Sequence, residues 1–70
     1  MGYRSVCEKA ARTALASATI EQALDAIRYF STGNLASVTF ARVAAEKWPE
    51  NAELQALLKN QEELYASEEA

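Results

Sequence analysis

Few residues in this chain are of a type that does chemistry, and their spacing argues against it. Cys7 is the one cysteine, and the sequence contains no histidine to serve as its base or as a metal ligand. Lys9 and Arg12 lie close enough in sequence to lower a thiol pKa. Cys7 nevertheless falls among Ala10, Ala11 and Ala14 on one side of a helical pattern, where a small buried hydrophobe is the simpler reading. The pairs Glu62-Glu63 and Glu68-Glu69 offer carboxylates for a metal or for acid–base work. Consecutive residues of a helix point about 100° apart, so neither pair converges on one ion, and a solvated face is expected. No glycine-rich phosphate loop, zinc spacing or catalytic triad pattern occurs. The expectation is a protein that is not an enzyme and takes no cofactor and no metal.

Aromatic residues give the better lead. Tyr29 projects from the polar side of its helix, away from Phe30, and Phe40 lies opposite Val38 on the next one. A chain with so few large side chains has two uses for Phe40, Val43 and Trp48. Either one core absorbs them all, or one edge is left as a contact surface. Tyr29, Phe40, Val43, Lys47 and Trp48 are therefore the candidate protein-interaction surface.

The elements that must position these residues follow from composition and pattern. Seventy residues bound the chain to one domain, read here as 1–70, and a core of that size contributes little net stability. Half of the residues are hydrophobic, but fifteen of them are Ala, so much of the apolar count reflects helix propensity. Two Gly and one Pro leave little room for long loops. An all-α fold follows. Net charge is −3 but uneven: residues 1–47 carry +2 and residues 48–70 carry −5. The overall sign disfavours non-specific binding to nucleic acid. The first residues lack the apolar core of a secretory signal, no run is long enough to span a membrane, and a single unpaired thiol suits a reducing interior. A cytoplasmic location without membrane attachment is expected.

Helix boundaries can be read from caps. Ser5-Val-Cys-Glu8 and Thr19-Ile-Glu-Gln22 match capping boxes, and Asn34 and Asn51 are further N-cap candidates. Gly33 suits a left-handed position after a helix, and Pro49 ends the helix before it. The spacing predicts a compact bundle of four short helices, at about 5–16, 20–31, 35–47 and 51–66, with residues 67–70 as a frayed acidic tail. Short connections favour antiparallel neighbours, and dimerisation is a further way to complete the bundle. In the first helix Tyr3, Val6, Cys7, Ala10, Ala11, Ala14 and Leu15 share one side, while Glu8 and Arg12 form an i,i+4 pair. The third helix is apolar over roughly 220° of its circumference, with Thr39, Arg42 and Glu46 as a narrow polar strip. In the fourth, Leu54, Leu57, Leu58, Gln61, Leu64 and Tyr65 make a narrow seam with Gln61 its one polar member.

Two patterns bear on function. Ala41-Arg-Val-Ala44-Ala-Glu-Lys-Trp-Pro49-Glu-Asn51-Ala-Glu resembles the end of a tetratricopeptide repeat, where an alanine-rich second helix runs into Pro, a polar pair and the next helix. The spacing from Gly33 to Pro49 is one residue short of that pattern and no second copy follows, so the resemblance implies hairpin geometry over about twenty residues and no more. Residues 20–30, 31–34 and 35–47 also have the spacing of a helix-turn-helix, with 35–47 as recognition helix. That helix would offer base edges only Thr39, Arg42 and Ser37. The reading that best fits is a small adaptor or inhibitor that occupies the surface of another protein, as a homodimer. The alternative is a helix-turn-helix DNA-binding regulator.

Overall fold

The computed structural model of the chain describes residues 2–30 and 33–69. It contains four helices, α1 (Tyr3–Leu15), α2 (Ile20–Arg28), α3 (Leu35–Lys47) and α4 (Ala52–Glu69), so the expected all-α bundle is what forms. Its radius of gyration, 11.3 Å, is that of a folded globule of this length.

Three of the four starts obey the expected chemistry. Thr19 accepts from the Gln22 backbone N–H at 3.1 Å while the Gln22 side chain accepts from the Thr19 N–H at 2.9 Å. Asn34 and Ser37 make the same reciprocal pair at the start of α3. At α4, Asn51 accepts from the Leu54 N–H at 2.8 Å. Each side chain satisfies a backbone donor that helix geometry leaves without an intrahelical partner.

The start of α1 departs from expectation. The helix begins two residues earlier than Ser5, with Gly2 as N-cap and no side-chain cap. Ser5 is already in the first turn, its N–H bonded to the Gly2 carbonyl, and Glu8 is drawn instead to Arg12 at 2.8 Å. Two other bounds shift. α2 stops at Arg28 rather than 31, with Tyr29 as its cap, and α4 runs three residues past the expected 66. Residues 31–32 of the expected break, the side chains of Tyr3, Glu68 and Glu69, and Ala70 of the expected tail lie outside the described residues.

α3 is the axis. It packs against all three other helices, and Ser37, Val38, Thr39, Ala41, Val43, Ala44 and Ala45 are buried along it. Thr39, assigned by pattern to a polar strip, is among them. α4 returns antiparallel to α3, bringing Arg42 to Glu62 at 2.9 Å and the end of α4 to Gly33, so the hairpin geometry implied by the repeat-like stretch is present. α2 also lies antiparallel to α3, with Ile20 beside Trp48 and Phe30 edge-on to Phe40 at 5.6 Å. α1 keeps the alternating direction but not the expected neighbour. Its main contact is not its sequence neighbour α2 but α3, and it runs parallel to it: Cys7 lies near Ser37, and the Leu15 carbonyl meets Lys47.

Two close contacts set the α3–α4 register. Gly33 does not have a positive φ, contrary to the expected left-handed role. Its necessity is steric. A Cβ there would lie 2.5 Å from the Leu64 carbonyl carbon and closer still to the Tyr65 nitrogen. Gln61, only 2% exposed, donates from Nε2 to the Phe30 carbonyl at 3.2 Å, while its Oε1 has no partner.

Ion pairs latch the outer seams. Arg12 joins Glu8 to Glu46 across α1 and α3, and Arg28 joins Asp25 to Glu53 across α2 and α4. The Arg12 pKa is raised, first by the hydrogen bond to Glu8 and then by that to Glu46. The Arg28 pKa is raised chiefly by its hydrogen bond to Glu53.

Candidate protein-interaction groove

The five residues picked out by pattern do not form one surface. Tyr29 is 87% exposed and projects from α2 as expected. Val43 belongs to the core instead, at 6% exposure, because α1 covers that side of α3. Lys47 ties two helices together. Its Nζ donates to the Leu15 carbonyl at 2.6 Å and the Ala16 carbonyl at 3.4 Å, and sits 5.0 Å from the Trp48 ring centre. Trp48 is half-buried and packs on the core beside Ile20 and Pro49. Its N–H still bonds to the Ala44 carbonyl, and Pro49 stops the helix there.

Phe40 leads elsewhere. It lies in a groove of about 540 Å³ along the seam of α1 and α3. Val6, Cys7, Ala10, Ala11 and Ala14 line one side, Ala36, Ser37 and Phe40 the other, and Phe30 and Asn34 contribute from the α2–α3 connection. The groove exists because α1 offers two apolar stripes to one neighbour. Cys7, Ala11 and Leu15, four residues apart, are buried on α3. Val6, Ala10 and Ala14 form a second stripe about 100° around the helix, and all three are exposed, Val6 at 62%. The sequence pattern placed both stripes on the buried side. The signal that could have separated them was angular: one parallel neighbour covers less than the half-circumference that the combined stripes span.

Among the described residues, no charged side chain lines the groove. Its two polar residues, Asn34 and Ser37, are engaged with each other as the cap of α3. Of the two cations near Cys7 in sequence, Lys9 and Arg12, the second is turned to Glu8 and Glu46. Among the described residues no three His, Cys, Asp or Glu side chains come together as metal ligands would, and no helix is long and apolar enough to cross a membrane. Of the polar residues a recognition helix would show to DNA, Ser37 and Thr39 are buried and Arg42 is paired with Glu62.

No protein-family model matches the chain, and no curated protein or solved structure matches it significantly.

Proposed function

We propose that this protein is a non-enzymatic protein-interaction module, a small adaptor or inhibitor that occupies a partner's surface, and that it associates with itself through the same face. One observation carries the reading: the uncharged groove lined by Phe40 and Ala36 on one side and by exposed Val6, Ala10 and Ala14 on the other. Burying such a surface removes apolar area from water without stripping a charge of its hydration. Tyr29, standing free on α2, adds an aromatic side chain of the kind that anchors interfaces. The unpaired thiol of Cys7 supports a reducing, cytoplasmic setting. The DNA-binding alternative has less support, since the side chains it needs are turned inward or paired.

Affinity capture from the native cell with the wild-type chain and with Ala10→Glu tests the module. The change is at an exposed position, so the fold is retained while the groove gains a charge. A specific protein should be enriched by the wild type and lost with the variant. Enrichment of nothing specific, or identical enrichment by both, argues against the groove.

A further inference from the structure

Among the four helices, α1 is held at one end. Among its described side chains it turns Cys7, Ala11 and Leu15 into the core, and of these only Leu15 is large. α2 by contrast buries Leu24 and Ile27 with Ile20 and Phe30 packed beside them. The attachments of α1 gather at its C-terminus: Leu15 is 1% exposed, Lys47 grips the Leu15 and Ala16 carbonyls, and Arg12 reaches Glu46 at 3.1 Å. Its N-terminal half is weak on three counts. Gly2 supplies no side-chain cap, the first turn holds no acidic residue, and Arg4 stands there against the helix dipole. The groove runs along this flank of the helix from Val6 to Ala14, so Val6, Ala10 and Ala14 stay exposed there. Close approach between alanines gives proximity but little apolar area per residue.

We infer that α1 is a one-ended strap: it lifts from α3 beginning at its N-terminal half, hinging on residues 15–19, while α2, α3 and α4 stay folded. Lifting bares the side of α3 that carries Val43 and widens access to Phe40. The inference does not rest on what the groove binds. Elements that open separately are those with few large buried apolar side chains, and among the described side chains of α1 only Leu15 is both large and buried.

The chain supplies its own reporter, since Cys7 is its one thiol and is buried in the closed state. The experiment is thiol labelling of the wild-type protein by an aromatic disulfide reagent across a urea series, with hydrogen exchange followed by peptide mass spectrometry. Amides of residues 6–11 should exchange about tenfold or more faster than those of α4, and Cys7 labelling and these amides should share a urea dependence shallower than that of α4, because a partial opening exposes less surface. Gly33→Ala, which strains the contact with Leu64 that the opening leaves intact, should speed α4 exchange by about tenfold or more while Cys7 labelling stays unchanged. The inference is overturned if α1 and Cys7 share the rate and urea slope of α4. It is equally overturned if Cys7 labels freely while its neighbouring amides remain as protected as those of α4, or if Gly33→Ala speeds Cys7 labelling and α4 exchange alike.

Discussion

Gly33 rests directly on the backbone of Leu64, so that the start of α3 and the last turns of α4 meet without an intervening side chain. This contact lets α4 reach the Phe30 carbonyl through Gln61. Gly33→Ala must push the two segments apart. The expected loss is about 2–3 kcal/mol by urea denaturation, the usual scale of overpacking. An unchanged midpoint would show that the segments part without cost.

Gln61 is buried with one half of its amide satisfied and the other not. Gln61→Leu surrenders the bond to the Phe30 carbonyl but removes the orphaned Oε1 and adds apolar contact among Leu57, Leu58 and Leu64. The expected result is a gain of about 1 kcal/mol in denaturation, since an unsatisfied buried polar atom costs more than a typical hydrogen bond contributes. A loss of stability would mean that Oε1 is hydrated in solution.

Lys47 ties the last carbonyls of α1 to α3 and covers one face of Trp48. Lys47→Met should lower stability by about 1–2 kcal/mol, the range for a charge-assisted hydrogen bond at a partly exposed site. Calorimetry checks it. A variant as stable as the wild type would show that water caps α1 equally well.

The arginine latches should matter little. Arg12, Arg28 and their carboxylate partners are about half exposed or more, so Arg28→Ala should leave the denaturation midpoint nearly unchanged, and what difference there is should vanish in high salt. The raised Arg12 and Arg28 pKa values mean that their contribution is complete below the unfolded-state arginine pKa. It is lost only as pH rises through the still higher folded value. Deprotonation of these arginines should therefore add no slope to stability between pH 6 and pH 9, and a slope abolished by Arg28→Ala would contradict this.

Helices two to four were legible because their signals are local. Thr19, Asn34 and Asn51 cap as their side-chain chemistry requires, and Pro49 ends α3. The centrality of α3 was legible from the breadth of its apolar arc. What sequence could not show was which neighbour covers which part of that arc. Val43 and Phe40 lie close together on α3, yet α1 buries the first and leaves the second in a groove. That difference depends on α1 packing parallel to α3 instead of folding back on α2, a choice made by long-range contacts. Gly33 misled for a related reason: its missing side chain serves a close approach thirty residues away, not a local turn.

The uncharged groove as a contact surface is the central claim, and equilibrium sedimentation tests it directly. Over about 10 to 500 µM, a span suited to micromolar association, the wild-type chain should rise from a mass of 7.7 kDa toward twice that value, while Ala10→Glu remains at 7.7 kDa throughout. A wild-type chain that stays monomeric over the whole range, or an Ala10→Glu chain that assembles equally well, would contradict the proposed role of the groove.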